Sequence, residues 1–188
     1  MQVVDNFLDK VFIFNLKKFE DDRGFFIEKY HKQRYLEFGI DSTFVQDNQS
    51  RSIKNVLRGL HFTINNPQEQ MMTVSRGKVF DVVVDVRPKS KTFGNYKSFI
   101  LSDEGPQQIF MPHGFAHGFC VLSEYADLIY KATKLYDPND EFGIKWNDPD
   151  INIKWPIDKP IISDRDLEHP SLEQYKHFVK KSLNDETQ

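Results

Sequence analysis

Met71-Met72-Thr73-Val74-Ser75 and Val79-Phe80-Asp81-Val82-Val83-Val84-Asp85-Val86 flank the turn residue Gly77. Both runs are short for helices, and the second is dense in the β-branched residues that pleated surfaces favour. Working outward, similar runs recur between turn signals at Val11 to Phe14, Gly24 to Tyr30, Thr43 to Gln46, Asn55 to Phe62, Tyr96 to Leu101, Gln108 to Met111, Gly118 to Leu122 and Asp127 to Lys134. About ten short strands at this spacing read as a β-sandwich or barrel. Only His31 to Phe38 and Ser171 to Ser182 read as helical, the latter with Leu172, Tyr175, Phe178 and Val179 on one side. The expected fold is therefore all-β, with a short helical insert and a C-terminal helix.

The chain has 188 residues, a length that suits one domain over 1–188 with a single sizeable core. Pro and Gly are scattered, and no repeat or low-complexity tract marks a boundary. A formal net charge of -3, with Lys and Arg dispersed, gives no basic field for nucleic acid or a membrane surface. Cys120 is the only cysteine, so neither an intramolecular disulfide framework nor a cysteine metal site is expected, which favours the cytoplasm. Asp5, Asp9 and Lys10 interrupt the apolar residues of the N-terminus, which reads as neither signal peptide nor membrane span.

Pro112-His113-Gly114-Phe115-Ala116-His117 carries a Pro-x-Gly-x-x-His spacing that resembles the second motif of cupin barrels. Metal-binding cupins pair it with a His-x-His, but here Thr63 stands two residues after His61. That broken pair disfavours a metal centre built on His61, His113 and His117. In Asn55-Val56-Leu57-Arg58-Gly59-Leu60-His61-Phe62 a regular strand would point Arg58 and His61 to opposite faces, and a bulge at Gly59 would change that parity. On residue type alone, His61 reads first as a hydrogen-bonded core histidine and only second as a base, while Arg58 reads as a rim ion pair as readily as a phosphate ligand. Asp164 or Asp166 could orient an imidazole by accepting its Nδ1–H; a helix cap or solvated loop is the plainer reading of that segment.

The blocks Asp22-Arg23-Gly24-Phe25-Phe26-Ile27-Glu28, Phe44-Val45-Gln46-Asp47-Asn48, Val56 to Phe62, Gly114 to Phe119, Tyr130-Lys131, Trp146-Asn147-Asp148-Pro149 and Ser163-Asp164-Arg165-Asp166 together resemble the dTDP-4-dehydrorhamnose 3,5-epimerase family. That resemblance implies a dimeric jelly roll acting without a cofactor on a nucleoside-diphosphate 4-keto-6-deoxyhexose. It further implies His61 as base, Asp166 as its orienting partner and Tyr130 as the acid on the other face of the sugar. Arg23 and Arg58 match diphosphate positions, and His117 matches a sugar contact. Glu28, Gln46 and Asn48 match residues around the nucleotide or sugar, while Phe26 and Tyr136 are candidates to stack on the base.

One position departs from the family. Seven residues before Gly77 the family carries a lysine that stabilises an enolate oxygen, and this chain has Gln70. A neutral amide donor is weaker than a cationic one, and losing a preorganised donor costs about 10²–10³ in rate. The readings left open are a double epimerase, an epimerase acting at one carbon or on another 4-keto sugar nucleotide (CDP-linked or dideoxy), and a non-catalytic sugar-nucleotide binding module.

Overall fold

The computed structural model describes residues 1–185. Its strands form two antiparallel sheets and a separate hairpin. The six-stranded sheet runs, in spatial order, β1 (Gln2–Phe7), β2 (Val11–Asn15), β10 (Gln107–Met111), β7 (Gln70–Arg76), β12 (Tyr125–Ala132) and β5 (Gln46–Ile53). The five-stranded sheet runs β13 (Phe142–Gly143), β6 (Leu57–Phe62), β11 (Phe115–Val121), β8 (Lys78–Asp85) and β9 (Tyr96–Ser102). Strands β3 (Lys18–Asp21) and β4 (Gly24–Ile27) pair only with each other.

The two opening runs lie in different sheets. β7 and β8 are consecutive in sequence, yet the chain crosses from one sheet to the other at Gly77, whose φ of +83° is open to glycine at little cost. A Cβ there would lie 2.2 Å from the Tyr125 carbonyl oxygen, so no side chain fits at this corner.

Alternation along β8 explains its near-continuous valine run. Val79 and Val83 face inward and join Val11, Ile13, Val74, Ile109 and Leu128 in the core between the sheets. Val82 and Val84 face the other way, against Leu60, Ala116, Ile144, Leu172 and Tyr175. A strand covered on both faces has no polar side to alternate with. The outer cover comes from the segment after β13 and from helix α3 (Leu172–Asp185), whose start is fixed by the buried Asp148 carboxylate accepting the Leu172 N–H at 2.8 Å. The other sheet is capped by α1 (Lys32–Leu36), where Tyr35 packs edge-on against Phe14 and hydrogen-bonds the Gln108 side chain.

The all-β expectation with a helical insert and a C-terminal helix therefore holds, with local differences, among them a short helix over Asp164–Leu167 and the two-residue strand β13, neither of them expected. β1, which mixes exposed charges with valines, carried too weak a pattern to be read as a strand, and β3 was missed for the same reason. The strand expected over Thr43 to Gln46 begins instead at Gln46 and runs to Ile53, because its inward residues Gln46, Asn48, Ser50 and Ser52 are polar. No helix among the described residues is long and apolar enough to cross a membrane.

Asp85 ends β8 with no exposed surface and holds the turn that follows. Its carboxylate accepts from Arg87 Nε at 2.8 Å, Arg87 Nη2 at 2.7 Å, Ser90 Oγ at 2.7 Å and Thr92 Oγ1 at 2.6 Å. Burial alone would push the carboxyl up, but these donors outweigh it and bring it down to about 2. A folded value below the unfolded one gives stability that is full above about pH 4 and is lost as pH falls toward about 2. Asp85→Asn is expected to cost about 1–3 kcal/mol near neutrality and to flatten the acid limb of stability. Urea unfolding of both proteins at several acidic pH values measures this; an unaltered acid limb would assign the acid sensitivity elsewhere.

Candidate active site

The sheets part at one end around a cavity of about 460 Å³. Its two walls come from different sheets. β6 and β11 supply Arg58, His61, His117 and Phe119; β5, β7 and β12 supply Gln46, Asn48, Gln70, Met72, Leu128 and Tyr130. The loops at the mouth add Asn66, Gln68, Tyr136 and Glu141, and a short helix adds Arg165.

Arg58 and His61 share the cavity wall because β6 carries an extra residue. His117 pairs with His61 and Phe119 with Arg58, so two steps along β11 match three along β6. This is a bulge, and it turns two residues of opposite parity onto one face. Gly59 makes it possible: its φ is +119°, and a Cβ there would lie 2.6 Å from Gly118 Cα. Gly118 returns the constraint, since a Cβ on it would lie 2.8 Å from the Arg58 carbonyl oxygen.

The bulge is tied down by a residue more than a hundred positions away in sequence. Asp166 lies in the short helix α2 (Asp164–Leu167), where Ser163 Oγ accepts the Asp166 N–H at 3.2 Å. One carboxylate oxygen accepts the Gly59 N–H at 3.1 Å, and the other lies 3.0 Å from His61 Nε2. Burial acts to raise this carboxyl, but the His61 bond and charge, with the Gly59 N–H, hold it well below the usual carboxylate range. Asp166 is therefore an anion, and its bond to Nε2 requires the proton there. The expectation that Nδ1 would face the carboxylate is corrected: Nε2 does, which leaves Nδ1 on the side of Glu141, whose Oε1 is 4.0 Å away. Of the two acids weighed for this role, the buried Asp166 takes it and the exposed Asp164 does not.

On the opposite wall, Tyr130 is raised by burial first and by the Glu141 charge next, so its phenol keeps its proton at neutral pH. Gln70 donates to Gln68 Oε1 at 2.7 Å, and no lysine lines the cavity among the described residues. Gln46 donates to Asn48 Oδ1 at 2.9 Å while its own oxygen accepts the Tyr136 N–H at 2.9 Å, linking β5 to the mouth. Arg58 Nε donates to Ser52 Oγ at 3.0 Å, which aims the guanidinium without neutralising it. His117 is held at 2.8 Å by Asp81, which is fully buried.

Arg23, Phe26 and Glu28 do not join this cavity. Arg23 is 90% exposed and pairs with Asp21 at 2.5 Å, Phe26 lies on the β3–β4 hairpin, and Glu28 pairs with Arg34 at 2.6 Å. Among the residues that fasten or face the site, Asp81, Glu141, Asp140 and His169 were not anticipated. Asp81 had a legible signal, an acid at an inward position of a valine-rich strand. Glu141, which pairs with Arg165 Nη1 at 2.5 Å and accepts from Tyr136 Oη at 2.9 Å, had none. Asp140, whose carboxylate accepts the N–H groups of Ile64, Asn65 and Asn66 and fastens the mouth, was hidden in a polar run. His169, beside Asp166, looked like loop.

Comparison with known proteins agrees with this geometry. Residues 6–174 match the family model described as dTDP-4-dehydrorhamnose 3,5-epimerase. A dTDP-4-dehydrorhamnose 3,5-epimerase from Salmonella typhimurium is 48% identical over 177 residues, covering 93% of this chain and 97% of that one. A dTDP-4-dehydrorhamnose 3-epimerase from Streptomyces niveus is 40% identical over 148 residues, 78% of this chain and 72% of the relative. Among solved structures, dTDP-6-deoxy-D-glucose-3,5-epimerase from Legionella pneumophila, in complex with dTDP-4-keto-L-rhamnose, superposes with a TM-score of 0.88 at 44% identity, over 92% of this chain and 93% of that one.

Proposed function

The chain belongs to the dTDP-4-dehydrorhamnose 3,5-epimerase family, and from that premise we propose that its cavity binds a dTDP-linked 4-keto-6-deoxyhexose and inverts carbons beside the ketone. The observation that carries this reading is a base and an acid on facing walls: His61 held by Asp166 on one sheet, and Tyr130 on the other. The C4 ketone acidifies the hydrogens at C3 and C5. His61 Nδ1 takes one of them, the electron pair moves onto O4 as an enolate, and Tyr130 Oη returns a proton from the opposite side. Protons are the only species exchanged, so the step requires no redox or metal cofactor. Asp166 stabilises the imidazolium that forms, and Gln70 is positioned to donate an N–H to the enolate oxygen. Arg58 suits the diphosphate, because a planar guanidinium meets phosphate oxygens bidentately. His117, Gln46, Asn48 and Tyr136 line the remainder of the cavity around the sugar and nucleotide.

Solvent exchange in D₂O tests the roles separately. His61→Asn is expected to abolish deuterium uptake at every reactive carbon. Tyr130→Phe keeps a base but loses the opposing acid, so it should wash deuterium in with retained configuration while inversion falls about 10²–10⁴-fold. Uptake that survives in His61→Asn would move the base elsewhere, and absence of uptake in the wild type with several 4-keto sugar nucleotides would favour the pure binding module.

Gln70 favours a second reading, in which inversion is confined to one carbon or to another 4-keto sugar nucleotide. The Streptomyces niveus relative is named a 3-epimerase. If the neutral amide limits enolate formation, Gln70→Lys should accelerate exchange about 10²–10³-fold or extend it to the second carbon, read by NMR of the product. A neutral or harmful effect would mean that the pocket is fitted to the amide.

A homodimer accounts for the placement of Arg23, Phe26 and Glu28. The β3–β4 hairpin belongs to neither large sheet and carries exposed Phe19, Phe25 and Phe26, while β5 is an edge strand with an unpaired side. A hairpin laid against a second copy would cover this apolar surface and bring those residues to the copy's cavity. Complementation distinguishes the arrangements. Arg23→Ala and His61→Asn proteins, each impaired alone, should regain activity when subunits are exchanged, because one cavity of the mixed dimer is then intact. No recovery would keep Arg23 with its own subunit.

A further inference from the structure

Behind the His61–Asp166 pair sits a third group that the epimerisation does not use. His169 Nε2 lies 3.7 Å from the same Asp166 Oδ1 that meets His61 Nε2 at 3.0 Å. The His169 side chain is only 10% exposed, and its Nε2 is buried without a hydrogen-bond partner. A buried ring nitrogen left unpaired is uncommon and costs free energy. Gly143 holds the ring there: a Cβ on it would come within 2.3 Å of Nε2, and the ring stands edge-on to His61 with centroids 5.4 Å apart.

Two imidazole nitrogens and a carboxylate oxygen thus converge with every pair within 4.8 Å. For ligands at about 2.0–2.2 Å from a zinc ion, tetrahedral edges of about 3.3 Å are required; the 3.0 and 3.7 Å separations from Asp166 Oδ1 bracket that value, and the two imidazoles, within 4.8 Å of each other, close on the ion by turning their rings. Two imidazoles and one carboxylate suit zinc and its neighbours, and suit magnesium or calcium poorly. Nearby charge does not forbid it. Arg165 Nε is 3.7 Å from Asp166 Oδ1, but its guanidinium is engaged by Glu141 at 2.5 Å, so the two carboxylates outweigh the one cation.

We propose that His61, Asp166 and His169 form an inhibitory site for a divalent transition-metal ion, zinc fitting best, that silences the enzyme by capturing its base. Binding releases no proton: Zn²⁺ takes the lone pair of His61 Nε2, and the proton on that nitrogen moves to Nδ1 of the same ring. A neutral metal-bound imidazole then carries N–H at Nδ1, where the substrate proton would have to go. The ion therefore fixes the wrong tautomer without blocking the cavity. The ligand set stands on geometry alone; the inhibition rests on the reading of His61 as base.

Calorimetric titration of the chelator-treated protein with zinc chloride tests the site without reference to activity. One site per chain is expected, and His169→Gln should weaken it by at least the roughly 10–100-fold that even outer-shell changes produce at metal sites, while His113→Gln and His177→Gln leave it intact. Cobalt(II) supplies a check in the wild type alone, since a low-coordinate nitrogen and oxygen site gives intense visible absorption where aqueous cobalt gives little. Absent absorption, or zinc affinity unchanged in His169→Gln, would overturn the site. Solvent exchange then tests the consequence. Zinc should stop deuterium uptake in the wild type, chelator should restore it, and His169→Gln should resist. Stoichiometric zinc binding with full uptake would overturn the tautomer capture.

Discussion

The Asp166 carboxylate is the interaction on which the site depends. One oxygen anchors the backbone N–H of Gly59 at the bulge, and the other anchors the imidazole that the bulge presents. Removing it would free both the backbone that turns Arg58 and His61 to one face and the ring tautomer. The charge is also why the bulge can be buried: an extra residue in a strand leaves a ladder N–H without a partner, and here an anion takes its place. Desolvating a carboxylate is costly, and the N–H groups arranged around it offset that cost.

The sandwich supplies the second requirement, opposition. Each sheet is covered over part of its outer face, β2, β10 and β7 by α1 and the loop after it and the five-stranded sheet by the C-terminal segment and α3, while the outward residues of β5 are exposed. The separation between His61 and Tyr130 is therefore set by how the core between the sheets packs. Asp140 and Asp148, both buried and both accepting backbone N–H groups, fix the loops that bring Glu141 and Arg165 to the mouth.

Most of the strands were legible because valine, isoleucine and phenylalanine recur at the right spacing, and the mixed β1 and the polar inner face of β5 were not, because their side chains lack that signal. The likeness to a family placed His61, Asp166 and Tyr130 together. Periodicity could not have done so, since Asp166 reaches His61 from a distant loop. The parity problem at Arg58 and His61 was visible in Gly59, although only coordinates show the neighbouring glycine that makes the bulge fit. The ring nitrogen facing Asp166 was beyond reach, because rotamers leave no trace in a sequence. Arg23, Phe26 and Glu28 illustrate a further limit: a likeness between motifs does not say where a side chain will stand, and these three stand away from the chain's own cavity.

The facing pair Gly59 and Gly118 divides the cavity into two kinds of wall. On the five-stranded side the backbones touch where any side chain would collide, so this wall has almost no sequence freedom around His61. On the six-stranded side, Gln70, Gln46 and Asn48 project from strands that contain no glycine. Variation in what the fold accepts is therefore channelled to one wall. The half that carries His61 is fixed like a die, while the other half can be recut one side chain at a time.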